Sequence, residues 1–192
     1  MHRLPYLTGL LIVLILIFSI LDSGFVEEID RSMIRWTARI SFLCFIIAFS
    51  ATPVHRLFNL DLTHFLVRYR RYLGLSFAVS HTFHLLFILL LQFYFDAHNF
   101  EKRGLLTVAG GGLAYVLMYL MAFTSTDNMI AKLGANRWKI LHTIGSYYIL
   151  IVFSVSYIPR AISDSTYMPF GIVIIVAVIL KMLSLIVVRN KS

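Results

Sequence analysis

Charge is scarce in this sequence. Only 14% of its 192 residues are Asp, Glu, Lys or Arg, against 59% hydrophobic, a balance that excludes an ordinary soluble domain. Cysteine is nearly absent too: Cys44 stands alone inside an apolar run, which excludes an internal disulfide and reads as packing. No Gly-x-Gly-x-x-Gly follows a strand-like segment, so a nucleotide-binding domain is not expected. Ala109-Gly110-Gly111-Gly112 is glycine-rich, but it lies in an apolar stretch, where small residues are expected to bring helix backbones together. The start of the chain lacks a good signal-peptidase site at Ser19-Ile20-Leu21-Asp22, and the apolar run from Leu4 to Leu21 is long for a signal sequence, so it reads as a retained helix.

What the sequence does contain is a series of apolar runs, each near the roughly 20 residues that cross a bilayer. They predict helices at about 4–21, 36–54, 72–95, 104–126, 138–158 and 168–188. The expected fold is all-α, a polytopic membrane protein whose residues 1–192 form a single domain, a bundle of six transmembrane helices in contact with membrane lipid. Pro53 is expected to end the second helix, and residues 55–69 read as a short amphipathic segment lying in the interface. Helix 1, without a strongly polar group between Leu4 and Leu21, is expected at the periphery. The net charge of +8 marks topology and gives no call for nucleic acid. Lys and Arg concentrate at Arg3, in residues 55–71 and 127–139 and in the tail, which places both termini in the cytoplasm.

Ionisable groups at membrane depth are expensive and point to function. His81 and His84 lie inside the 24-residue run from Tyr72 to Phe95, which holds no Asp, Glu, Lys or Arg, and His142 opens the fifth apolar run. Imidazoles on separate helices suit a b-type haem, whose low-spin iron takes one neutral imidazole on each face. Counting helical rise, His81 is the better depth match to His142, with His84 still in reach. Lys181, Arg70 and Arg71 are candidates to neutralise the haem propionates, and Arg39 reads as an interfacial anchor. His55, His64 and His98 read as solvated or interfacial, and Asp96, His98 and Glu101 as a solvated turn.

Arg70-Arg71-x-Leu73-Gly74-Leu75 with His84 ten residues after the glycine, then Trp138-Lys139-x-Leu141-His142, resembles the ferric reductase-like transmembrane domain over residues 36–160. In size the chain is similar to the haem-binding membrane subunits of bacterial periplasmic methionine-sulfoxide reductase systems. The resemblance implies a haem protein of the bacterial inner (plasma) membrane, with His84 and His142 as iron ligands and His81 as the alternative to His84. Family members commonly carry a second histidine about 13 residues after the first on helix 5, and here that position is Val155. One haem is therefore the expected count, two being open if His81 and His84 serve different sites. The implied role is the electron-transfer subunit of an oxidoreductase system, fed by quinol or a flavoprotein and emptied by a separate acceptor protein. Direct reduction of ferric iron or a metal chelate is the second reading, and a non-redox binding or transport module the third.

Overall fold

The computed structural model describes residues 2–24, 26–95 and 104–189, and every regular element among them is helical. The outer-loop candidates Asp96, His98 and Glu101 lie outside the described residues. Helix α1 (Leu4–Ser23) begins with Pro5 in its first turn, where a missing N–H costs nothing, and stops at Gly24, which takes φ +76°. Helix α2 (Glu27–Phe58) opens with Glu27, Glu28 and Asp30, anions suited to the positive end of the helix dipole. Helices α3 (Asp61–Phe93), α4 (Leu105–Phe123), α5 (Asp127–Leu133) and α6 (Ala135–Ser163) follow, then a single 3-10 turn (Ser165–Tyr167) and α7 (Met168–Arg189).

Five of these helices are long and apolar enough to cross a membrane, and a sixth crossing results if α4 and α5 are counted as one bent span. The chain is thus an all-α polytopic membrane protein. The bend between α4 and α5 is 104°. Its cause is local: Thr126 adopts an extended conformation and its hydroxyl accepts from the Met129 N–H, so it caps a new helix and the previous one cannot continue.

Three expectations about the helices are corrected. Pro53 does not end α2, which runs through it for five more residues. Pro53 itself is fully buried inside the helix. The amphipathic segment at 55–69 is not separate: its residues extend α2 and α3, leaving only Asn59 and Leu60 between them. Asn59 turns the chain with φ +48°, and Thr63 closes the turn, accepting from the Leu60 N–H at 3.0 Å and lying 3.0 Å from His55 Nδ1. Gly111 and Gly112 do not mark a close approach, since among the described residues no atom lies within 4 Å of where their Cβ would be.

The structure divides into two compact units, each described by itself. The first comprises α1, α2 up to Phe45, α3 from Tyr72 and the start of α4. Ile12, Met33 and Phe87 form its apolar centre, with Ile15, Ile34, Phe83 and Leu90 packed around them. Gly9 brings α1 against Val79 and Phe83 of α3. Elsewhere α1 turns Leu7, Leu10, Leu14 and Phe18 outward, as a helix facing lipid does.

The second unit comprises α2 from Ile46, α3 up to Arg71, α4 from Gly111, and all of α5, α6 and α7. Tyr157 of α6 stacks on Phe170 of α7 at 4.9 Å, and Gly171 sits so close to Ala161 that an added Cβ would be 3.0 Å from that methyl. Valine at Gly171 must push the two helices apart, because the methyl of Ala161 has no rotamer to yield. The expected cost is about 1–3 kcal/mol, read as a lowered thermal midpoint of the detergent-solubilised protein.

Candidate functional site

In the first unit, α2 and α3 face each other along a polar seam. Asp30, Thr37 and Ser41 are spaced by seven and four residues, which puts them on one side of α2. Across from them α3 carries Ser80, His81 and His84. The Thr37 hydroxyl donates to the Met33 carbonyl at 2.6 Å and the Ser41 hydroxyl to the Ala38 carbonyl at 2.9 Å. Both protons are thereby spent within α2, and the two oxygens are left to accept. Ser80 donates to the Thr37 carbonyl at 3.0 Å and ties the helices together at the same level.

These partners decide the tautomers of the two histidines. His84 Nδ1 lies 3.0 Å from the Ile34 carbonyl, which can only accept, so Nδ1 carries the hydrogen and Nε2 the lone pair. The Thr37 hydroxyl oxygen sits at 3.4 Å from the same nitrogen. His81 Nδ1 is 3.0 Å from the Ser41 oxygen, whose own proton is committed, and the same assignment follows. Both imidazoles therefore present Nε2 in the form that binds a metal, with Nδ1–H held by a neighbouring helix in the manner of orienting partners around metal-ligating histidines. The rings stack at 5.0 Å with 20° between planes, and Phe77 lies 5.3 Å from His81 and 5.4 Å from Phe45.

The other candidates belong to the second unit. His142 rides on α6 with its ring 4.3 Å from that of Trp138, one turn earlier. Its Nε2 is 3.4 Å from the hydroxyl of Thr124, whose proton goes to the Leu120 carbonyl at 2.7 Å. The contact is long, and rotation about Cβ–Cγ exchanges Nε2 with Cε1, so little holds this nitrogen back from a ligand.

Arg70 donates to the Thr52 hydroxyl at 2.6 Å, and Arg71 pairs with Asp127 at 2.7 Å. Lys181 Nζ, on α7, lies 5.2 Å from the Phe49 ring and 5.7 Å from the Tyr147 ring, a cation–π arrangement. Arg56 and Arg70 lie within electrostatic reach of Lys181, and Arg70 within reach of His142. No carboxylate lies within ion-pair distance of Lys181 among the described residues, so Arg56, Arg70 and Lys181 form a cationic cluster beside His142. An anion placed there meets several donors without an acidic competitor.

The structure thus brings His81 together with His84, and gathers His142, Arg70 and Lys181 in the second unit with Arg71 committed to a carboxylate. Arg39 lies with its guanidinium 5.6 Å from the Trp36 ring, in keeping with an anchor. Sequence reasoning missed Thr37, Ser41, Thr124 and Arg56. A signal existed for the first two: polar residues four apart in an apolar run face one way. Arg56 was hidden among the charges that set topology. No three His, Cys, Asp or Glu side chains converge as a bare-metal site among the described residues.

A family model, the ferric reductase like transmembrane component, matches residues 33–155. The chain belongs to this family. His81, His84, His142, Arg70 and Arg71 lie inside the matched span of the ferric reductase-like component, while Lys181 lies beyond it. The chain is 37% identical over 122 residues to the protein-methionine-sulfoxide reductase heme-binding subunit MsrQ of Ralstonia nicotianae, covering 62% of this chain and 52% of the relative. It is 35% identical over 123 residues to MsrQ of Herminiimonas arsenicoxydans, with the same coverage. A third relative, the magnetosome protein MamZ of Magnetospirillum gryphiswaldense, is 31% identical over 112 residues, 56% of this chain and 16% of MamZ. The chain spans about half the length of the MsrQ proteins it matches. No solved structure matches it.

Proposed function

We propose that the chain is a haem b-binding electron-transfer protein of a bacterial inner membrane, taking electrons from a quinol or flavoprotein donor and passing them to a separate acceptor protein. The observation that carries this reading is the tautomer of His84: an imidazole inside an apolar helix whose Nδ1–H is held by the Ile34 carbonyl, which puts the lone pair that binds iron on Nε2. Such an arrangement costs free energy in lipid unless the imidazole has a task. Membership in the ferric reductase-like family and similarity to proteins named as heme-binding subunits support the same reading.

The residues fit a haem. His84 and His142 are the proposed axial ligands, with His81 the alternative to His84. Arg70, Arg56 and Lys181 would receive the propionates, and Arg71 would steady that end of α3 through Asp127. The haem, when bound, supplies one-electron exchange at its iron. The chain's part is to hold the imidazoles neutral and oriented, to offset the propionate charge, and to keep water from the ring with apolar helix faces. Val155, where family members carry another histidine, is 71% exposed, and a single haem is the proposed count. Counting α4 and α5 as one crossing gives six spans in a single transmembrane domain, and the Lys and Arg distribution puts both termini in the cytoplasm.

The test is a dithionite-reduced minus oxidised absorption spectrum of the detergent-purified protein, with pyridine haemochrome quantitation. A low-spin b-type spectrum at about one haem per chain is expected. A colourless protein from cells supplied with excess haem would overturn the proposal.

A further inference from the structure

Among the described residues Asp30 is the one buried carboxylate in the polar seam of the first unit, and nothing described so far uses it. Its side chain is wholly buried at 0% exposure, and neither carboxylate oxygen has a hydrogen-bond partner among the described residues. A charge in that position is costly, so a carboxylate there stands close to the balance between its charged and protonated forms and responds to a small change in the local potential. Asp30 shares the α2 face of Thr37 and Ser41, and it lies one helical turn, about 6 Å of rise, from Ile34, whose carbonyl holds His84. The ionisable groups around it are few. On α2 the nearby charges are Glu27 and Arg31, which pair with each other at 2.7 Å. Asp22, near the end of α1, and Glu28 of α2 line one pocket beside the start of α2, α3 offers only His84 and His81 between Leu73 and Phe93, and Gly104–Gly110 has none.

We infer that Asp30 is the proton acceptor coupled to electron arrival at the iron site of His84. This rests on the haem reading above. With one electron added at the iron site, one proton from water would convert the Asp30 carboxylate to a carboxylic acid, and oxidation would return that proton to water. The direction follows from electrostatics. A negative charge added at the iron site raises the proton affinity of a nearby buried carboxylate, because little water lies between them to screen it. By linkage, protonation that favours the reduced state makes the reduction potential fall as pH rises.

The experiment is a potentiometric titration of the purified haem-loaded protein from pH 5 to pH 9, with Asp30→Asn in parallel and haem content measured for both. Expected is a potential that falls with rising pH over part of this range in the native protein and stays flat in Asp30→Asn, at unchanged haem content and low-spin spectrum. A reduced-minus-oxidised infrared spectrum should show a protonated carboxyl band that Asp30→Asn lacks. If Asp30→Asn does not assemble, Asp30→Glu should shift that band. A flat potential in the native protein, a slope that survives Asp30→Asn, or a band that Asp30→Glu leaves in place would each overturn the inference while the haem reading stands. Absence of haem from the native protein would overturn both.

Discussion

Alanine at His84 is expected to abolish the low-spin haem spectrum, as is alanine at His142, while alanine at His81 leaves it nearly intact. The argument rests on coordination. Low-spin iron of this type needs two strong axial nitrogens, so removing either leaves a five-coordinate, high-spin centre or no haem at all. His84 has the orienting carbonyl of Ile34 at 3.0 Å, a fixed acceptor on the backbone, while the Nδ1 of His81 lies 3.0 Å from the hydroxyl of Ser41, a side chain that can rotate away. Pyridine haemochrome stoichiometry and low-temperature electron paramagnetic resonance read the result. Retention of the low-spin signal in His84→Ala together with its loss in His81→Ala would transfer the ligand role to His81. Survival in His142→Ala would remove α6 from the site.

The second large effect concerns the cationic cluster. Replacing Lys181 with Met and Arg70 with Gln together removes two charges that no carboxylate pairs with among the described residues, and haem retention should fall. A hydrogen bond to a charged group is worth about 1.5–3 kcal/mol, so each lost contact should weaken haem affinity by about tenfold to a hundredfold. Competition with apomyoglobin measures that loss. Asp127→Asn is the matched control: its side chain is 91% exposed, and its pair with Arg71 should contribute under about 1 kcal/mol to stability. Equal haem retention in the double variant and the native protein would show that the propionates lie elsewhere.

Much of this architecture was legible in the sequence, for reasons that also explain the misses. Apolar runs locate helices in lipid because an unpaired backbone has no alternative there, so each predicted span contains a helix. Hydropathy marks where lipid ends, whereas backbone hydrogen bonding continues past it. That is why α2 extends through Pro53 to Phe58 and α3 starts at Asp61 instead of Tyr72. Thr126 looked like the end of a helix and instead begins a new one, bent by 104° from the last. Among the glycines, composition drew attention to Gly111 and Gly112, but the close neighbour belongs to Gly145, whose added Cβ would meet Met121 Sδ at 2.7 Å. Clustering of small residues does not reveal which of them faces a partner.

His81, His84 and His142 stood out because they are ionisable groups in apolar runs. Their partners did not. Thr37 and Ser41 are ordinary residues in a helix, and a backbone carbonyl such as that of Ile34 leaves no trace in a sequence at all. Arg56 could be separated from Arg68 only by knowing which of them lies near Lys181.

The two-residue link at Asn59 and Leu60 matters to chemistry far from it. Two helices joined with so little slack behave like the halves of a ruler folded at one mark, with Thr63 and His55 pinning the fold. Each residue inserted after Asn59 would turn α3 by about 100° and slide it about 1.5 Å against α2. His81 and His84, more than twenty positions further along, would then lose Ser41 and Ile34 as partners without any change in their own surroundings in the sequence. The phase of the imidazoles thus depends on a turn more than twenty residues away along the chain.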